Sequence, residues 1–369
     1  MFSYNKKALL ITSHIWNSKR KAGFHWIADA LWRMGWEVYF VTAVSQIDKI
    51  KGDYRFQYLS SLELNTVITE KEHFYSYIWF RWWRPMDLRH PWMNKITAPL
   101  FRTYGRQVID NHLKEIIKTA DLVIFESIPN VAFFPTFKKI NPNARYVYRV
   151  SDNLHLSNIH PAVLEIEERI APDFDLISVP TQNIFDKFAP LTNVKLQRHG
   201  IPKHLYDRKH NNPYAPNTIN AIFVGSLSFD YDFLSKASKL FPEIDFHIIG
   251  PLPNLPKRNN IHTYGEMPYE ETIPFVKYAT IGLSPMTRPS LGDSNKILQF
   301  TYCKLPIVIS SINRSNWPHF FYYDIGSEKS IVNAIQGALS FDKNIIPKEM
   351  VNSWEQLVQS LLETPLNEA

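Results

Sequence analysis

Between Ile281 and Ser310 the chain reads IGLSPMTRPSLGDSNKILQFTYCKLPIVIS. Two short apolar runs flank a breaker-rich loop and one amphipathic stretch. Pro285, Pro289 and Gly292 keep regular structure out of the loop. Asp293 and Ser294 are N-cap residues for a helix expected from Asn295 to Cys303, and Leu305–Ser310 reads as a second buried strand. Strand, helix, strand in so few residues dictates parallel pairing, hence an α/β sheet. The helix N-terminus offers free N–H groups and the positive end of a dipole, which suit an anion. Lys296 in the first turn opposes that dipole and must be offset by something negative, and Gln299 shares its face. The stretch reads as a seat for a nucleotide diphosphate, built from Ser294, Asn295, Lys296 and Gln299. A surface helix with a solvated lysine fits the same pattern.

The rest of the chain repeats the alternation. Ala8–Thr12, a helix from about Phe24 to Met34 and a strand Glu37–Ala43 make a β-α-β opening without a G-x-G-x-x-G turn, so the first half suits an acceptor better than a nucleotide. Strands follow at Leu122–Glu126, Tyr146–Val150, Leu176–Val179 and Val194–Leu196, with helices of about ten residues between them. Residues 200–218 are polar and rich in Pro and Asn, and mark a boundary. A second α/β series then begins at Ala221. The expected division is an acceptor-binding domain over 1–200, a linker over 201–218, a nucleotide-binding domain over 219–345, and a helix over 346–369 that returns to the first domain.

At 369 residues, two domains are the natural division. The formal charge of +6 suits an anionic partner. The single cysteine, Cys303, excludes a disulfide framework and fits a reducing compartment. The first residues hold too short an apolar run for a signal peptide, and no window reaches the ~18 apolar residues of a membrane span. A cytosolic protein is expected, one able to lie on a membrane. Most of the ten Trp precede residue 100. Trp79, Phe80, Trp82, Trp83 and Trp92 interleave with Arg81, Arg84, Arg89, Lys95 and Arg102. That mixture suits a peripheral membrane surface, a stacking platform for single strands, or an aromatic core with arginines reaching outward.

Several residues fall where an open parallel sheet binds its ligands, at strand carboxyl ends. Asp152 follows RYVYRV and reads either as a general base or as a turn cap. Glu126 ends the preceding strand and would raise the Asp152 pKa or bind substrate. Arg149 lies within the strand as a structural ion-pair partner. His14, His25 and His199 are placed to reach a cleft, or are satisfied structural histidines. Gly225 and Ser226 form a strand-Gly-Ser turn, and Glu266 ends a strand as a ribose acceptor or a helix cap. Two D-x-D triplets, 173–175 and 230–232, read better as element starts than as metal ligands. With no H-E-x-x-H and no cysteine pairs, no metal site is expected.

Together, ADLVIFES (120–127), RYVYRVSDNL (145–154), VGSLSFDYDF (224–233), FHIIG (246–250), YGEM (264–267) and SNKILQF (294–300) carry a resemblance over most of the chain. The sequence resembles glycosyltransferases of the GT-B fold, in particular the membrane-associated glucuronosyltransferases typified by that of xanthan biosynthesis. The resemblance implies two Rossmann-like, doubly wound domains facing across a cleft. It implies an inverting transfer, without a required metal or other cofactor, from a UDP-sugar to a polyprenyl-diphosphate-linked oligosaccharide. It implies work at the inner face of a bacterial plasma membrane, with residues 79–102 on the anionic surface and no nucleic-acid partner. It assigns the base to Asp152 and donor binding to Glu266, Met267, Lys296 and Gln299. Leu227 stands where the family has a methionine, and Met286 where it has a nucleotide-facing tyrosine. Rivals are a UDP-sugar epimerase of the same fold and a non-enzymatic basic module for membrane or nucleic acid; the placement of Asp152 and Lys296 in separate α/β domains speaks against the latter.

Overall fold

The computed structural model describes residues 4–19, 21–59, 64–154, 159–226, 228–288, 295–312, 314 and 317–363. The chain forms two units, Met1–His199 with Trp354–Ala369, and Gly200–Ser353.

The first unit is built on an eight-stranded sheet. Its strands are β1 (Lys6–Thr12), β2 (Trp36–Ser45), β3 (Val67–Lys71), β4 (Phe74–Arg81), β5 (Leu122–Glu126), β6 (Arg145–Arg149), β7 (Leu176–Val179) and β8 (Val194–Leu196). The spatial order is β3-β4-β2-β1-β5-β6-β7-β8. All neighbours are parallel except β3, which pairs antiparallel with β4 at the edge. Helices cover both faces, so the central strands are continuous apolar runs; all five residues of β5 are buried. The order reverses between β1 and β5, which opens a crevice at their carboxyl ends.

The sequence reading missed β3 and β4, and β4 lies in the aromatic stretch after residue 70. Trp79 lies on β4, is 1% exposed and packs edge-on against Phe133, with ring centroids 4.7 Å apart. It is core, which corrects its place in a membrane-facing set. The helix Pro91–Phe101 behaves differently. Ala98 and Phe101 pack inward with Ala162 and Trp83, while Trp92, Ile96 and Leu100 stand exposed at helical spacing.

The helix Gly23–Arg33 carries an apolar face onto this sheet and against the helix Trp354–Glu363. Gly23 is where they meet: a Cβ there would lie 3.2 Å from the Trp354 ring. The last helix thus belongs to the first unit and begins at Trp354.

The second unit opens on β9 (Gly200–Ile201) and contains β10 (Ile219–Val224), β11 (Ile244–Ile249), β12 (Ile261–Gly265), β13 (Ile281–Ser284), β14 (Ile307–Ser310) and β15 (Phe320–Tyr323). The last six form one parallel sheet in the order β12-β11-β10-β13-β14-β15. Numbered within the unit this is 3-2-1-4-5-6, the dinucleotide-fold order, with its switch point between β10 and β13. A short pair of β9 with β16 (Asn352–Ser353) ties the unit's two ends. Residues 201–218, expected as a linker, instead pack on the helix Tyr269–Tyr278. The Tyr214 hydroxyl donates to the Phe275 carbonyl (2.6 Å), the Tyr278 hydroxyl to His210 (2.5 Å), and the Lys277 ammonium to Tyr206 (2.7 Å). The helix Asn295–Tyr302 lies close on β13, where a Cβ at Gly282 would come within 2.5 Å of the Phe300 ring.

Among the described residues, no helix is long and apolar enough to cross a membrane.

Candidate functional sites, one in each unit

In the first unit, the carboxyl ends of β1, β5 and β6 bring together His14, Glu126 and Asp152. Glu126 is the last residue of β5 and is buried. Its carboxylate accepts from the Thr12 hydroxyl (2.5 Å) and the Ser13 backbone N–H (3.2 Å), and His14 Nε2 lies 3.3 Å away. Burial alone would push its pKa up, but His14 and these donors outweigh it and hold Glu126 below the usual range. For His14 burial works downward, and the facing carboxylate more than reverses it. Each group thereby favours the charged form of the other.

Asp152 stands just beyond β6 and is open to solvent, with its backbone N–H donated to Ser127 Oγ (3.0 Å). Partial desolvation raises its pKa first, the Glu126 charge raises it further, and His14 opposes. A carboxyl with a raised pKa at the end of a sheet is the setting of a general base. His14 also lines a cavity of about 370 Å³, with Asp48, Arg55, Arg84 and Asn130 among others. Asp48 anchors that wall: Arg84 bonds it at 2.7 Å and Arg55 lies 3.6 Å away. Sequence reasoning missed this wall, since Asp48, Arg55 and Arg84 share no motif and meet only through the fold.

Three expected residues have structural roles. His25 is 1% exposed; its Nδ1 accepts the Ala22 N–H at the start of a helix, and its Nε2 faces the Ile15 carbonyl at 2.8 Å. Burial drops its pKa to about 3, so it is a neutral helix cap and does not open on the crevice. Arg149 is fully buried and, among the described residues, meets no carboxylate, contrary to the expected ion pair. It donates to Ser178 Oγ and the Gln197 carbonyl, and faces His199 Nδ1 at 3.2 Å. Burial and that guanidinium bring His199 to about 3.

In the second unit, the candidate residues gather at the switch point. Gly225 and Ser226 follow β10, Gly265 and Glu266 close β12, and Pro285 and Met286 follow β13. The loops after β10 and β13 are joined by a bridge between Phe229 and Met286 and by the Thr287 N–H donated to Ser228. Gly250 is required beside them, because a Cβ there would fall 1.8 Å from the Gly225 carbonyl oxygen. Glu266 is exposed at the strand end, Met267 is half-buried, and Gln299 is buried in the helix Asn295–Tyr302. Leu227, Ser294 and the N-cap pair at 293–294 lie outside the described residues.

Lys296 is the unusual group. Its ammonium lies 3.4 Å from Met286 Sδ and 4.7 Å over the Phe223 ring. Among the described residues it meets no carboxylate, and burial brings it down to about 8. It sits at the start of a helix, where N–H groups add positive potential. A half-buried cation beside a thioether and a ring is favourably placed for an anion. One carboxylate of each D-x-D triplet serves the fold: Asp175 accepts the Tyr146 N–H, and Asp230 caps the helix Tyr231–Leu240 and accepts from Tyr323.

The family model for the N-terminal domain of glucuronosyltransferase GumK matches residues 10–180. The chain is 31% identical over 338 residues to the UDP-glucuronate:glycolipid 2-beta-glucuronosyltransferase of Xanthomonas campestris pv. campestris, covering 90% of this chain and 83% of that protein. Among solved structures, a UDP-forming alpha,alpha-trehalose-phosphate synthase from Burkholderia xenovorans aligns with TM-score 0.58 at 10% identity, over 96% of this chain and 95% of that one. WaaG, a glycosyltransferase of lipopolysaccharide biosynthesis, aligns with TM-score 0.52 at 14% identity, over 97% and 95%. These two share the fold, GT-B, at identities too low to carry more.

Proposed function

The chain belongs to the GumK family of glucuronosyltransferases, and from that premise we propose that it moves a sugar, glucuronate, from its UDP conjugate onto a lipid-linked oligosaccharide. The observation that carries the reading is Lys296, a half-buried cation that meets no carboxylate among the described residues, at the switch point of a dinucleotide-type sheet. A UDP-sugar brings a diphosphate to that cation. Lys296 and the helix start stabilise the charge that grows on the departing UDP, the largest kind of contribution an enzyme makes to such a step. The donor side is completed by Gly225, Ser226, Glu266, Met267, Met286 and Gln299.

Asp152 takes the proton from the acceptor hydroxyl as that oxygen attacks the anomeric carbon, with inversion. Glu126 keeps the Asp152 pKa up, which makes it a better base, and His14 keeps Glu126 ionised. No metal is assigned a part, because one carboxylate of each D-x-D triplet already serves the fold. The acceptor is a glycolipid, as for the Xanthomonas relative, and the exposed Trp92, Ile96 and Leu100 give the first unit an apolar patch. Arg89, Lys95 and Arg102 are exposed around it, so the patch suits a peripheral seat on an anionic membrane.

Incubation with UDP-glucuronate and a lipid-linked oligosaccharide, followed by mass spectrometry, tests the reading. A product one glucuronate heavier is expected, and Asp152→Asn is expected to lose about 10²–10⁴-fold in kcat while UDP affinity holds. Conversion of UDP-glucuronate to an isomeric UDP-sugar with no glycosylated lipid would favour an epimerase, and full activity in Asp152→Asn would remove the base.

A further inference from the structure

At the amino ends of β10, β11 and β12, opposite the donor loops of the same sheet, four polar side chains meet. Asn220 stands on β10, Asp245 and His247 on one face of β11, and His262 on β12. The donor atoms of Asp245, His247 and His262 all lie within 4.8 Å of one another. His262 Nε2 is 2.9 Å from Asp245 Oδ1, and His247 Nε2 is 2.9 Å from Asn220 Oδ1. The Asn220 amide nitrogen is engaged by Thr218, through its carbonyl at 3.2 Å and its hydroxyl at 2.9 Å, which turns the amide oxygen toward the histidine.

We propose that Asn220, Asp245, His247 and His262 form a structural site for one divalent transition metal, zinc by the chemistry of its donors. Two imidazoles and a carboxylate are zinc ligands, and a carbonyl oxygen fits the fourth position. A tetrahedral zinc with bonds of about 2.0–2.2 Å keeps its donors about 3.3 Å apart. Two of the donor pairs stand at 2.9 Å, while the His247 and His262 rings stack with centroids 4.8 Å apart, so the exposed His262 ring must turn for both nitrogens to face one ion. The surroundings are those of a metal-bound imidazole. The outer nitrogen of His247, Nδ1, lies 2.8 Å from the Tyr264 hydroxyl, which fixes the ring's orientation. The Tyr214 ring covers His247 at 4.6 Å, and Phe275 packs on Tyr264 at 4.8 Å. His247 itself is buried. His262 and Asp245 remain partly exposed and give the ion a way in. The metal would staple the edge strand β12, whose register slips between Ile248 and Ile249, to the two strands inside it. It would leave the donor residues at the carboxyl ends untouched.

The test uses the untagged full chain, stripped with chelator, then given zinc sulfate alone. Metal content after gel filtration and the midpoint of thermal unfolding are both measured. One zinc per chain and a rise of about 5–10 °C are expected. His262→Gln and Asp245→Asn should unfold where stripped wild type does and lose both responses. Substoichiometric zinc in wild type, or an equal shift in both variants, overturns the proposal.

Discussion

Burial holds the Lys296 ammonium at about 8, with no carboxylate beside it among the described residues. A diphosphate bound there favours the charged form and lifts that pKa well above the working range. The linkage then has a definite sign. Below about 8 the free site is already charged and binding costs no proton. Above it, UDP must bring a proton in, and affinity falls by up to tenfold per pH unit. Between about pH 7 and 9 the charged fraction of the free site drops about tenfold. That is about 1.4 kcal/mol in UDP binding. Titration calorimetry at pH 9, in two buffers of different ionisation enthalpy, should show uptake of nearly one proton per UDP. Lys296→Arg keeps the charge at every pH and should bind with a nearly flat profile, and it also controls for titration of uracil itself. A wild-type affinity as flat as that of the arginine variant, or no proton uptake, would refute the reasoning.

Glu126 and His14 should move the pH profile in opposite directions. Glu126→Gln removes a charge that raises the Asp152 pKa, so the acid limb of kcat/KM should shift to lower pH. His14→Asn should shift it up relative to wild type in the same assay. Replacing Trp92, Ile96 and Leu100 together by serine should abolish flotation with anionic liposomes while leaving the thermal midpoint nearly unchanged, since all three are exposed. Trp79→Ala should cost about 3–5 kcal/mol in denaturant unfolding, and Trp82→Ala, at 76% exposure, under about 0.5 kcal/mol.

The α/β alternation was legible because central parallel strands are apolar on both faces and bounded by glycine or proline. Ile281–Ser284, Gln182–Phe188 and Leu122–Glu126 fall where their residues put them. Val67–Lys71 and Phe74–Arg81 did not, since an edge hairpin rich in Tyr, Trp and Arg carries no clean period. Asp152 and Lys296 were visible because their flanking strands announce the carboxyl end of a sheet. The Asp48–Arg55–Arg84 wall was not, as its members come from three separate segments. The role of His25 stayed open because nothing local distinguishes a histidine facing a crevice from one closing a helix. The polar composition of 201–218 suggested a loose connector. Tyr206, Tyr214 and His210 instead supply the hydrogen bonds that fasten it to a neighbouring helix.

The placement of Trp354–Glu363 bears on how the protein is made. Residues 200–353 are contiguous, so a ribosome delivers all of that unit before it delivers the final piece of the other. Until Trp354 and Leu357 emerge, the apolar side of Gly23–Arg33 is covered by the sheet alone. The half of the protein synthesised first is the half finished last.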